Sequence, residues 1–133
     1  MKYFLDTNIC VYYLNNSNAR VKEQINRMFT ANIKIPSMVA AELLYGAEKS
    51  GKREYNLGLF KTFISLYEII NFDEKAAGYY ASIRAELEKK GQIIGSSDII
   101  IASTVLANEG ILVTHNISEF SRIKELRIED WTI

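Results

Sequence analysis

The feature that most constrains this chain is a rhythm of short apolar runs, each about three to six residues long, set between longer stretches of helical period. Tyr3-Phe4-Leu5, Ile33-Lys34-Ile35, Tyr67–Phe72, Ile111–Thr114 and Leu126-Arg127-Ile128 are the short runs. Runs of this length read as strands, and helical patterns between them favour a mainly parallel sheet with covered faces. The expected helices begin near Thr7 (carrying Ile9, Val11, Tyr12 and Leu14), over 19–30 with Val21, Ile25, Met28 and Phe29 inward, and over 38–49 behind a Ser37 cap. Further helices carry Leu57, Phe60, Phe63 and Ile64, run from an Asp73 cap through Lys90, and span 99–107 behind Ser97 or Asp98. The result is an α/β chain, a three-layer α/β/α sandwich around a short five-stranded sheet. With 133 residues, no repeat and no Pro/Gly/Ser linker, residues 1–133 read as a single domain.

In an open parallel sheet the ligand site lies beyond the carboxyl ends of the strands, where chain direction reverses. Carboxylates fall at those ends. Asp6 follows the first strand, Asn116 and Glu119 follow the fourth, and Asp98 stands at a helix start facing the same region. Each has a structural alternative. Asp6 can cap its helix, or leave capping to Thr7 and Asn8 and point outward. Glu42 interrupts the apolar Met38–Tyr45 stretch, so it is paired with a group such as Arg84, protonated or bound to a cation. Asp98, after Ser96-Ser97, has the setting of a cap. Glu119 in a polar loop and Asn116 in a turn need no special explanation.

Other chemistries are poorly supplied. There is one His, which excludes a two-His nuclease mechanism, and one Cys, which excludes an internal disulfide and a Cys-rich zinc site. Cys10 sits between Ile9 and Val11 as core packing, and His115 reads as a surface residue. No GxGxxG or Walker loop is present. An aspartyl-phosphate reaction of the haloacid-dehalogenase kind would want Asp where Asn8 stands. An all-carboxylate cluster instead suits a hard divalent cation, which polarises a phosphoryl oxygen and activates water.

Net charge is zero, from 16 basic and 16 acidic residues, and does not exclude a nucleic-acid ligand. Residues 1–66 hold nine Lys/Arg against five Asp/Glu, whereas 67–133 hold seven against eleven. Lys49, Lys52 and Arg53 are candidate phosphate contacts. Tyr12, Tyr13, Tyr45, Phe60 and Phe63 exceed what a small core needs and are candidates for a surface that meets another protein chain. The first residues hold no signal core or membrane span, so the expected setting is cytoplasmic and away from membranes.

These segments resemble one family throughout the chain. Phe4-Leu5-Asp6-Thr7-Asn8, Ala41–Ser50 around Glu42, Ile94–Ala102 around Asp98 and Leu112–Phe120 with its TxNxxxF pattern are similar, in order and spacing, to the PIN-domain ribonucleases, specifically the VapC toxins of type II (VapBC) toxin–antitoxin pairs. Leu126–Trp131 resembles the enteric subgroup. The resemblance implies a PIN-like sandwich and an endoribonuclease in which Asp6, Glu42, Asp98 and Glu119 hold one or two Mg²⁺ or Mn²⁺ ions. Glu119 stands where many relatives have Asp, which leaves direct ligation, ligation through water, or neither. Thr7 and Asn116 would orient ligands or waters. A water activated at the metal would attack phosphorus in line, leaving a 5′-phosphate and a 3′-hydroxyl. The implied substrate is structured RNA, a tRNA near its anticodon, so that translation stops. The implied partners are a VapB-type antitoxin, a second copy of the chain and a higher toxin–antitoxin assembly. Two rival readings remain: a catalytically silent PIN-type module that binds RNA or protein, and a DNA nuclease related to flap endonucleases, for which 133 residues leave little room.

Overall fold

The computed structural model describes residues 1–133. Its elements are β1 (Tyr3–Leu5), α1 (Thr7–Leu14), α2 (Ala19–Arg27), a 3₁₀ turn (Thr30–Asn32), β2 (Ile33–Pro36), α3 (Ser37–Glu48) and α4 (Arg53–Ser65). They continue with β3 (Glu68–Ile70), α5 (Glu74–Lys89), α6 (Ser96–Ala107), β4 (Ile111–Val113), α7 (Ile117–Phe120) and β5 (Arg127–Glu129). The strands form one sheet in the order β3-β2-β1-β4-β5, and every neighbouring pair is parallel.

Burial explains why the sheet is sandwiched. Successive strand residues point to opposite faces. In β1, Phe4 and Leu5 are both fully buried, and in β4 Ile111, Leu112 and Val113 are all buried. Both faces of the central strands are therefore covered, as in parallel sheets generally. α5 packs along α6, α3 along α4 and α1 along α2. α6 is buried nearly all round, which its almost uniformly apolar sequence demands.

Local chemistry ends the elements where expected in several places. Asp73 accepts from the amide of Ala76 at 3.0 Å and starts α5. Gly91 ends it at φ +65°, with its amide on the Glu88 carbonyl and that of Gln92 on Leu87. That is a Schellman turn, which a residue without Cβ adopts at least cost. Gly110 lies where the chain enters β4 against Phe4, and a Cβ there would stand 2.4 Å from the Phe4 ring.

The structure corrects three expectations. α2 stops at Arg27, and Phe29 is 81% exposed instead of inward. The 3₁₀ turn that follows re-aims the chain into β2, which takes Phe29 off the buried face of α2. Ser37 is the first residue of α3, not its cap; Pro36 holds the cap position, and the Ser37 hydroxyl accepts from the Phe72 amide at 3.3 Å. Likewise α6 opens one turn earlier than expected, at Ser96 behind Gly95, so Asp98 lies within its first turn and caps nothing.

Candidate metal centre

The strand order puts the switch point between β1 and β4, because the chain moves outward to β2 and β3 on one side and to β5 on the other. Asp6 leaves the end of β1 and Thr114 the end of β4. The backbone continues the pairing there, with the Asp6 amide donating to the Val113 carbonyl at 3.0 Å. The Thr114 hydroxyl donates to Asp6 Oδ2 at 2.7 Å, and the amide of Thr7 donates to Asp6 Oδ1 at 2.8 Å. Asp6 is thus the N-cap of α1 after all, and is buried at 7% exposure. Of the two alternatives, capping by Asp6 or by Thr7 and Asn8, the structure shows the first: the short β1–α1 connection puts Asp6 in position to cap.

Thr7 serves a different acid. Its hydroxyl donates to Glu42 Oε1 at 2.6 Å, joining α1 to α3. Glu42 is half-buried and has no cationic partner. Arg84 belongs instead to Tyr80 and Glu88 on its own helix. Asp98 comes from the first turn of α6, and Glu119 from the first turn of α7. Burial pushes Asp98 up to about 6, and the charges of Asp6, then Glu119, then Glu42 add to the rise. Asp6 is raised as well, by burial first and also by Glu42, against the pull of its Thr114 and Thr7 hydrogen bonds. Asp98 thus feels the charges of Asp6, Glu119 and Glu42, and Asp6 feels that of Glu42, so the four acids share one electrostatic neighbourhood.

None of the four enters an ion pair; the six pairs in the molecule lie elsewhere. A group of like charges, all oxygen donors, with no Lys or Arg inside it, fits a hard divalent cation. No three of these side chains come close enough together in this structure to hold an ion between them. The surface hollows, of about 330 and 310 Å³, lie away from the acids, one beside α5 and Arg122 and the other beside α2 and Trp131.

Asn116 occupies the cap position of α7, and its amide donates to the Thr114 hydroxyl at 3.0 Å. Thr114 therefore links Asn116 to Asp6. It is fully buried, and reading the residues one by one misses it. The available signal was positional: Thr114 follows β4 as Asp6 follows β1. Among the remaining candidates, Cys10 is buried in the core, where burial raises its thiol far above the ordinary range. His115 is exposed and bound to Asp130 at 3.0 Å. Phe63 is core, and Tyr12, Tyr13 and Phe60 pack partly against it, whereas Tyr45 is 63% exposed. In the basic group, Arg53 is paired with Glu48 at 2.6 Å, and Lys49 lies over the Tyr45 ring.

No helix is long and apolar enough to cross a membrane. The chain matches the PIN domain family over residues 3–126. It is 46% identical over 132 residues to the ribonuclease VapC2 of Rickettsia felis, covering 98% of each chain. It is 40% identical over 131 residues to the tRNA(fMet)-specific endonuclease VapC of Salmonella typhimurium, again covering 98% of each. In structure it superposes on a chain of the DNA-bound VapBC crystal structure from Salmonella typhimurium with a TM-score of 0.92, at 40% identity and 98% coverage of both.

Proposed function

The chain belongs to the PIN-domain family, in its VapC ribonuclease branch, and we propose that it is the toxin of a toxin–antitoxin pair that cleaves a tRNA near its anticodon. PIN nucleases generally use divalent metal ions. Here Asp6, Glu42 and Asp98 would hold Mg²⁺ or Mn²⁺, with Glu119 as a further ligand. The observation that carries this reading is the four-acid neighbourhood at the switch point, free of cationic side chains.

When bound, the ion supplies Lewis acidity to the scissile phosphate and acidity to a water. The protein's own residues do the rest. Thr114 and the Thr7 amide fix the two oxygens of Asp6, and the Thr7 hydroxyl fixes Glu42, so two ligands are held before any ion arrives. Asp98 gives up its proton near pH 6, so it is ionised at neutral pH. Water attacks phosphorus opposite the departing 3′-oxygen; the P–O3′ bond breaks, and the products carry a 5′-phosphate and a 3′-hydroxyl. Asn116, whose backbone amide is tied to the Thr114 hydroxyl, would orient ligands or water.

A VapB-type antitoxin neutralises the protein in this reading, within an assembly that contains a toxin homodimer. The setting is the cytoplasm, and residues 1–133 act as one domain. The test is incubation of total tRNA with antitoxin-free protein, in Mg²⁺ or Mn²⁺, in EDTA, and with Asp6→Asn. Discrete fragments that need metal and vanish in the variant are expected. Folded, metal-loaded protein that cuts neither tRNA nor other RNA would favour the silent binding module, which a Mn²⁺ titration showing negligible affinity would corroborate.

A further inference from the structure

α3 carries more than Glu42 on one face. Glu42 and Tyr45 lie three residues apart on one side of the helix, and Lys49, four residues on at its C-terminal cap, continues that side. At ~1.5 Å per residue, Tyr45 stands about 4.5 Å along the axis from Glu42, and Lys49 about 10 Å. Helical side chains lean toward the N-terminus, so the Tyr45 ring lies over the turn that holds Glu42.

Nothing in the fold uses this ring. Tyr45 is 63% exposed, is not among the aromatic residues packed on the core and joins no aromatic pair. Its hydroxyl has no hydrogen-bond partner in the protein. Its one specific neighbour is Lys49, whose Nζ lies 4.8 Å from the ring centroid. Lys49 itself pairs with no carboxylate, whereas Arg53 nearby is committed to Glu48. With the cation over one face, the remaining exposure leaves the rest of the ring to solvent.

We infer that Tyr45 and Lys49 form a nucleotide subsite of the proposed nuclease, in which Tyr45 stacks an unpaired RNA base next to the scissile phosphate and Lys49 takes a neighbouring phosphate. The order along α3 is acid, aromatic, cation. A single strand presents phosphate, base and phosphate in the same order, with the first phosphate at the acids. Bases of single-stranded RNA are recognised largely by stacking on aromatic side chains, and cations track the backbone. A protein partner would meet a ring with a charge already over one face, which is a poor anchor. The inference rests on the ribonuclease reading and names how that site holds its substrate.

The test measures kcat and KM for tRNA cleavage by the full chain free of antitoxin. It also measures the affinity for a short single-stranded RNA by fluorescence anisotropy in Ca²⁺ across a salt series. Tyr45→Ala is expected to raise KM and weaken the RNA affinity about tenfold, with Tyr45→Phe restoring both. Lys49→Gln is expected to flatten the dependence of log K on log salt by about 0.7, and Tyr45→Ala to leave that slope unchanged. Melting temperatures should stay near the wild type, since the ring is largely exposed and is not packed on the core. Unchanged KM and affinity in Tyr45→Ala overturn the inference, as does failure of Tyr45→Phe to restore them. A Tyr45→Ala protein that binds RNA normally but loses self-association assigns the ring to a protein interface and overturns it too. Wild-type protein that binds the RNA but cuts none refutes the ribonuclease reading while the anisotropy still decides on the ring.

Discussion

Replacing Asp98 by Asn should stabilise the metal-free protein while abolishing cleavage. Asp98 titrates at about 6 in the fold against an ordinary value of 3.8, because burial and the charges of Asp6, Glu119 and Glu42 oppose its ionisation. The folded state therefore binds more protons than the unfolded state between about pH 4 and 6. Stability is highest below that window, falls as pH rises through it, and stays reduced above it. The gap between 3.8 and about 6 corresponds to at most about 3 kcal/mol. Asp98 is only half-buried, so screening by water reduces this to about 1 kcal/mol. The positive end of α6 offsets a few tenths of that, since Asp98 sits in its first turn. Asn fits without stranding a partner, because no hydrogen bond to the Asp98 side chain is present. The net gain at pH 7.5 is about 0.5–1 kcal/mol, or roughly 2–4 °C for a chain of this size. The assay is thermal unfolding of both proteins in EDTA at pH 4.5 and 7.5. A gain at pH 7.5 that disappears at pH 4.5 is expected. A variant no more stable than wild type at pH 7.5, or an equal gain at both pH values, would refute the electrostatic account.

Divalent affinity should rise steeply from pH 5 to 7, because the ion competes with the Asp98 proton; isothermal titration that finds no such rise would remove Asp98 from the ligand set. Thr114→Val keeps shape but strips a buried carboxylate of its hydroxyl donor, and should cost about 1.5–3 kcal/mol in urea unfolding at neutral pH. Less than about 0.5 kcal/mol would mean that Thr114 does not hold Asp6. Gly110→Ala would drive a Cβ to 2.4 Å from the Phe4 ring and should cost about 1–3 kcal/mol, which a wild-type melting curve would contradict. Cys10 should resist iodoacetamide in native protein and react only after unfolding, since it is buried and its thiol is held protonated; rapid native alkylation would disprove its burial.

The sequence by itself determined where most strands and helices lie and which acids stand near their ends, although it left α7, with Glu119, as a loop. Apolar runs of three or four residues and helical periods are local signals, and they place β1, β2, α5 and β4 nearly to the residue. Asp6 and Glu42 were legible for the same reason: an acid just past a strand, and an acid inside an apolar helix. Whether each acid is a cap or a site residue was not legible, because capping depends on where a helix begins, and one turn decides it. Asp98 lost its cap role when α6 opened at Ser96, whereas Asp6 caps α1 and also lies in the acidic neighbourhood. Phe29 read as buried because the helical period carries through it, but the chain leaves the helix at Met28.

Only the tertiary structure decided who faces whom. The bond from Thr114 to Asp6 joins residues 108 apart in sequence, and exists because β4 pairs with β1 instead of with β3. Periodicity records which face of an element is buried, but not which strand lies beside it. That choice follows from how whole helices cover both faces of the sheet, and it is what gathers four carboxylates from β1, α3, α6 and α7 to one end.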